Sequence, residues 1–154
     1  MHTERQSYWR DTNGIIFSED KIVEQLGSET NGIYIFDGKS GCGKSRILCR
    51  LHQQRNDLRI FSAEDITRIL VSACQKNTPE TLLIRLTAAL SESRCVAIED
   101  IDFLRGRTTT LEILIETIQT LAHDHVVVIN GNDLDYLVPE VYTMRNRKDF
   151  RICR

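Results

Sequence analysis

Eight consecutive residues, Gly38-Lys39-Ser40-Gly41-Cys42-Gly43-Lys44-Ser45, limit what this 154-residue chain can fold into. Glycines at the first, fourth and sixth of them let a backbone curl tightly, with φ > 0 where required, so that several N–H groups point at one anion. Such a loop needs a strand to end in it and a helix to start from it, and both flanks match. Gly32-Ile33-Tyr34-Ile35-Phe36-Asp37 is apolar, β-branched and aromatic, the composition of a buried strand. Ile47, Leu48 and Leu51 follow at helical spacing. The pattern G-x-x-x-x-G-K-S in this context is a phosphate-binding loop. Gly38, Ser40, Gly41, Cys42, Gly43, Lys44, Ser45 and Arg46 are therefore expected to hold the phosphates of ATP or ADP. Lys44 reaches the β- and γ-phosphates, the Ser45 hydroxyl holds Mg²⁺, and the start of the helix adds its positive dipole end.

The rest of the chain alternates strand and helix patterns. Residues 1–17 read as an irregular segment and 18–154 as one core domain. Ser18 caps a short helix with Glu19 and Asp20 in its first turn and Gly27 as its stop. After the loop helix, which runs to about Asn56, Leu58–Ser62 alternates like a strand. A helix from about Ala63 to Lys76 carries Ile66, Ile69, Leu70 and Ala73 on one face. Thr78-Pro79-Glu80 starts another, with cap, proline and acid in order. Cys95-Val96-Ala97-Ile98 and Val126-Val127-Val128-Ile129 are short apolar strands, and Thr110–Ala122 between them is a helix. This order implies a three-layer α/β/α fold with a mostly parallel sheet, its site at the carboxyl ends of the strands.

Composition excludes several classes. A net charge of −2 gives no global attraction to nucleic acid, so any such contact must come from a local patch. No apolar stretch approaches the roughly 20 residues that span a bilayer, and the first residues lack the apolar core of a signal peptide, so no membrane and a cytoplasmic location are expected. Five cysteines, an odd number with no C-x-x-C, suggest neither a disulfide framework nor a zinc site. Cys95 reads as core. Cys42 is either a small residue that suits the loop or a thiol activated beside phosphate and Lys44.

Two further polar elements complete a site. Glu99 and Asp100 end the apolar run at Ile98. Acids there suit a metal-holding carboxylate, Glu99, followed by a carboxylate that orients the attacking water, Asp100. Asn130-Gly131-Asn132 ends the next strand. By itself it is a turn signal. Beside the other two motifs an amide there senses the γ-phosphate or holds the water, with Asn132 preferred over Asn130.

Taken together, these residues resemble the AAA+ ATPase core of the bacterial replication initiator DnaA and its relatives. Phe61-Ser62-Ala63-Glu64-Asp65-Ile66 is similar to the family's strand-to-helix segment. Ile98-Glu99-Asp100-Ile101-Asp102-Phe103-Leu104 is similar to its isoleucine–aspartate–aspartate–isoleucine–glutamine–phenylalanine–leucine stretch. Gly106-Arg107, Thr110, Glu112 and Leu114 resemble the loop and helix that follow, and Val128–Asn132 stands at the first sensor. The likeness covers about residues 30–135. It implies a five-stranded sheet of order 5-1-4-3-2, with Phe150–Cys153 as the fifth strand. Two departures stand out. Glu99 replaces the first of the family's two aspartates, and Ser45 replaces a threonine, which keeps the hydroxyl.

The resemblance implies a DnaA-like ATP-binding module for replication initiation or its regulation. Mg²⁺-dependent hydrolysis is expected to be slow, since the residues to Arg154 leave no room for the family's helical lid; its helix-turn-helix reader is not expected either. The alternatives are a non-hydrolysing adaptor of a larger AAA+ partner and a DnaC-type helicase-loader core. Arg145 and Arg147 fall near the family's interface arginine finger, or else in a solvated basic tail. Arg105 and Arg107, helped by Lys76 and Arg85, occupy the region that grips single-stranded DNA in the family, or else are solvated loop charges. The expected partners are thus ATP, another AAA+ protein or a second copy, and possible single-stranded DNA.

Overall fold

The computed structural model describes residues 8–39, 41–72, 78–134 and 147–152. In chain order the elements are β1 (Tyr8–Asp11), β2 (Ile16–Ser18), α1 (Glu19–Ser28), β3 (Gly32–Asp37), α2 (Lys44–Gln54), β4 (Leu58–Ser62) and α3 (Ala63–Ser72). Then come α4 (Pro79–Leu90), β5 (Cys95–Glu99), the one-turn 3-10 helix η1 (Ile101–Leu104), α5 (Thr108–Leu121), β6 (Val126–Gly131) and β7 (Arg147–Ile152). The strands form one sheet in the order β2-β1-β7-β3-β6-β5-β4. β7, β3, β6, β5 and β4 are mutually parallel neighbours, and β1 is antiparallel to both β7 and β2.

β3, β5 and β6 are buried on both faces, so alternation divides their side chains between two cores. Ile33, Ile35, Val96, Ile98, Val127 and Ile129 face α3, α4 and α5, where they meet Ile66, Leu86, Leu90, Leu114 and Ile118. Tyr34, Phe36, Cys95, Ala97, Val126 and Val128 face α1 and α2, where they meet Ile22, Val23, Leu26, Ile47, Leu48 and Leu51. Each such buried leucine or isoleucine contributes about 1.5–3 kcal/mol relative to exposure. The result is three layers, with the loops after β3, β5 and β6 at one edge. Burial pushes the Cys95 thiol up to about 11, as suits a core cysteine. No helix among the described residues is long and apolar enough to cross a membrane.

The sheet differs from expectation at its end. It has seven strands rather than five, because β1 and β2 lie in the segment expected to be irregular. Trp9 is the reason. It is fully buried and meets Phe36 edge-on, with ring centroids 5.3 Å apart. The turn between β1 and β2 is fastened by Asp11, whose Oδ1 accepts the N–H groups of Asn13 at 3.0 Å and Ile15 at 2.9 Å. Strands of four and three residues are too short to show an alternation in sequence.

Gly27 is also not the stop of α1, which continues to Ser28. Its end is set instead by Arg55, which donates to the carbonyls of Leu26 at 2.9 Å and Glu29 at 2.7 Å while paired with both oxygens of Asp57. At the start of α1, Ser18 does cap, accepting from the Lys21 N–H at 3.3 Å. Thr78 caps α4 in the same way. Helix α5 begins two residues before its expected start, at Thr108. The last expected residues of the α3 helix, 73–76, and Cys153 of the fifth strand lie outside the described residues.

Trp9→Ala is expected to cost about 3–5 kcal/mol of stability, the usual loss for a buried aromatic. Trp9→Phe should cost less, since the buried indole N–H has no hydrogen-bond partner among the described residues. Urea midpoints read by circular dichroism decide this. A negligible change in Trp9→Ala would mean that the first hairpin is not part of the cooperative fold.

Candidate nucleotide site

The loop between β3 and α2 is built as its glycines demand. Gly41 and Gly43 have φ of 82° and 110°, a region that side chains with a Cβ seldom enter. Gly43 is also the N-cap of α2 and brings no side-chain oxygen to the first-turn N–H groups, and no acid sits in that turn. The positive end of the helix is thus left without an internal anion. The Cys42 N–H donates to the Lys39 carbonyl at 3.1 Å, and the Cys42 side chain packs against the α2-side core.

The strand after the loop's own supplies its floor. The Gly131 carbonyl at the end of β6 accepts from the Gly38 N–H at 3.0 Å and from Lys44 Nζ at 3.0 Å. Lys44 Nζ also donates to the Gly38 carbonyl. Asn130 is buried. Its Nδ2 donates to the Lys44 carbonyl at 3.4 Å, and its Oδ1 has no partner among the described residues. Asn132 lies two residues on and is exposed.

These parts enclose a cavity of about 400 Å³, lined by Gly41, Gly43, Lys44, Ser45, Arg46, Asp100, Asp102 and Asn132. Three strand ends, those of β3, β5 and β6, thus contribute to one space. Of the expected site residues, Gly41, Gly43, Lys44, Ser45, Arg46, Asp100 and Asn132 are brought together. Gly38 is buried beneath the loop, and Ser40 lies outside the described residues.

The acids at the end of β5 are arranged differently from expectation. Alternation puts Glu99 on the α2 face with Cys95 and Ala97, half-buried, and Glu99 is not among the residues that line the cavity. Burial, and then the Asp100 carboxylate beside it, push the Glu99 carboxyl up from its ordinary range. Asp100 turns the chain with a left-handed backbone, φ 56°, and begins η1. Asp102, two positions further along, lines the cavity although the sequence reading does not include it. A Cβ placed on Gly131 would lie 3.0 Å from Asp102 Oδ1, so η1 and the end of β6 are in close contact. The third acid in the run Glu99-Asp100-Ile101-Asp102 was the available signal.

The cavity's donors suit a hard divalent cation. Among the described residues, no group of three or more His, Cys, Asp and Glu is placed to hold a metal. Mg²⁺ bound with a polyphosphate needs no such group, because it takes phosphate oxygens and waters together with one or two protein oxygens. The Ser45 hydroxyl and the Asp100 and Asp102 carboxylates share one cavity and fit that role.

Arg46, Arg50, Arg105 and Arg107 have protein partners. Arg46 Nε donates to Glu19 at 2.8 Å, and Arg50 pairs with the other Glu19 oxygen at 2.9 Å. Arg105 donates to the Asp133 carbonyl at 3.3 Å and meets its carboxylate at 3.5 Å. Arg107 donates to Thr67 Oγ1 at 3.5 Å and lines a neighbouring cavity of about 410 Å³ with Asp100 and the exposed Phe103. Arg85 is exposed on α4. Arg147 starts β7, where its backbone pairs opposite Ile33 at the edge away from the loop. Arg145 and Lys76 lie outside the described residues.

A mostly parallel sheet with helices on both faces and a glycine-rich loop leading from its central strand into a helix defines a P-loop α/β protein. Comparison with solved structures finds the same fold in replication initiators. Domain III of the Thermotoga maritima replication initiation protein DnaA superposes with a TM-score of 0.63 at 18% identity, over 88% of this chain and 59% of that one. A DNA replication initiation factor gives 0.64 at 17%, over 87% and 43%. The initiator DnaA bound to AMPPCP and single-stranded DNA gives 0.58 at 18%, over 77% and 38%. This chain thus spans less than two thirds of the length of each. No protein-family model and no curated protein matches the sequence.

Glu99→Gln is expected to raise the urea midpoint of nucleotide-free protein at pH 7, because an amide has no charge to desolvate beside Asp100. A lowered midpoint would show that the Glu99 carboxylate is held by a favourable partner instead.

Proposed function

We propose that this chain is a DnaA-like AAA+ module that binds ATP or ADP with Mg²⁺ and serves the initiation of DNA replication or its regulation in the cytoplasm. The observation that carries this reading is the single cavity in which Lys44 and Ser45 face Asp100, Asp102 and Asn132. In it the N–H groups of Gly41, Gly43 and the first turn of α2 hold the phosphates. Lys44 exchanges its carbonyl partners for phosphate oxygens. Ser45 and a carboxylate hold Mg²⁺, which when bound neutralises phosphate charge. Asp100 orients a water, and Asn132 donates to the terminal phosphate. Glu99 supports this set from beside it, through its neighbour Asp100.

Slow hydrolysis is the expected activity. The position of Glu99 outside the cavity lining favours one rival, an adaptor that keeps ATP as a structural ligand and docks on a larger AAA+ partner or a second copy. A helicase-loader core of the DnaC type is a variant of the same reading. A contact with single-stranded DNA rests on Arg107 and the exposed Phe103 more than on Arg105, which Asp133 already engages.

Lys44→Ala should weaken ATP binding by roughly 1.5–3 kcal/mol, the worth of a hydrogen bond to a charged group. Calorimetry measures it, and an unchanged affinity would remove the loop from the site. Asp100→Asn should retain ATP but lose turnover. Single-turnover assays with and without an AAA+ partner separate the two readings: wild-type protein that binds ATP and never hydrolyses it is the adaptor.

A further inference from the structure

The loops that frame the cavity are fastened to one another, and Asp37 supplies two of the fastenings. It ends β3, immediately before the phosphate loop. Its Oδ1 accepts the Asp133 N–H at 2.8 Å and its Oδ2 accepts the Leu134 N–H at 3.1 Å. These amides directly follow Asn132. On the other side of Asn132, the Gly131 carbonyl is held by the Gly38 N–H and Lys44 Nζ, at 3.0 Å each. Asn132 is therefore a single residue between two anchored ones. Asp133 has a left-handed backbone, φ 57°, which a non-glycine residue keeps only when its surroundings hold it.

An amide that recognises one phosphate oxygen works only when its aim is fixed to within about 0.5 Å. The last phosphate is also the only one that distinguishes a triphosphate from a diphosphate. The N–H cradle meets phosphates that both nucleotides carry, and Lys44 reaches the β-phosphate of either one as well as the last phosphate of a triphosphate. Loss of Asn132's aim would thus weaken the triphosphate selectively. We infer that Asp37 is a positioning residue that aims Asn132 at the terminal phosphate and so sets the preference of this site for a nucleoside triphosphate over a diphosphate. The inference rests on the nucleotide reading given above.

The test uses the full chain, with Mg²⁺ and fluorescent ATP and ADP analogues titrated in parallel. Asp37→Ala is expected to lower the ratio of ATP to ADP affinity roughly tenfold, as the loss of one aligned hydrogen bond to a charged group would. Asn132→Ala should lower it by a similar factor, and the double variant should add little, because the two act as a unit. Asp37→Asn keeps one acceptor oxygen and should fall between. Amide hydrogen exchange at Asp133 and Leu134 should quicken in both Asp37 variants.

A lowered melting temperature with an unchanged ratio would make Asp37 a turn cap only and overturn the inference. If Asp37→Ala fails to fold, Asp37→Asn decides by the same ratio. Wild-type protein that binds neither nucleotide overturns the nucleotide reading itself, whereas wild-type binding with an unaltered ratio in the variants overturns this inference alone.

Discussion

The parallel pairing of β3 with β6 is the constraint on which the site depends. Its register sets Asp37 opposite Gly131 and leaves both strands ending at the same level. From that one alignment come the bonds from Gly38 and Lys44 to the Gly131 carbonyl and from Asp133 and Leu134 to Asp37. A slip by one residue would reverse every side chain of β6 and put Val127 and Ile129 on the wrong core. Register here is therefore enforced by the apolar cores on both faces, and the site inherits its precision from them. Gly131 marks the tightest point. A Cβ there would stand 2.6 Å from Leu134 Cδ2, too close to be accommodated without movement.

The helix that follows the loop is held by a second device. Glu19, only 4% exposed, accepts from Arg46 and Arg50, which stand one turn apart on α2. Removing one member of such a set leaves a buried charge without compensation, which costs far more than an exposed pair contributes. The same Arg46 reaches the cavity wall. The chain thus fixes the rotation of α2 about its axis through α1, and α1 sits against the core that Trp9 completes. The N-terminal hairpin is linked through these contacts to the helix whose first turn lines the candidate cavity.

Legibility in the sequence followed the range of the interactions. β3, the loop and α2 could be read because each residue answers a local need: apolar strand, φ > 0, helix start. Thr78-Pro79 announced α4 for the same reason, and the apolar runs at Cys95 and Val126 announced buried strands. What escaped depends on distant partners. Asp37 looks like the polar end of a strand until Asp133, 96 residues later and just past β6, presents its N–H. Arg105 looks like a free basic residue until Asp133 engages it. Trp9 sits in a strand of four residues whose only strong signal is its burial. Asp102 lines the cavity where Glu99 does not, because η1 follows directly on Asp100, which turns the chain and brings Asp102 near the end of β6.

That turn also bears on why a cation belongs to the proposed chemistry. The cavity wall presents Lys44 and Arg46 but also Asp100 and Asp102. Arg46 is already committed to Glu19. A polyphosphate entering this space would meet Lys44, held by two carbonyls, and two carboxylates. The N–H groups of the loop and the dipole of α2 offset part of that repulsion, though a helix end is worth only about half a charge. Like charges a few ångströms apart in a partly dry site repel by several kcal/mol. A divalent cation between the carboxylates and the phosphates turns both sets of repulsions into attractions. In the proposed function, the acids that make the cavity a poor anion site by themselves would make nucleotide binding depend on Mg²⁺. Affinity for the nucleotide should therefore fall steeply when a chelator removes the metal, and the fall should be shallower in Asp102→Asn, where one source of repulsion is gone. Equal affinity with and without chelator would instead place the carboxylates out of reach of the phosphates.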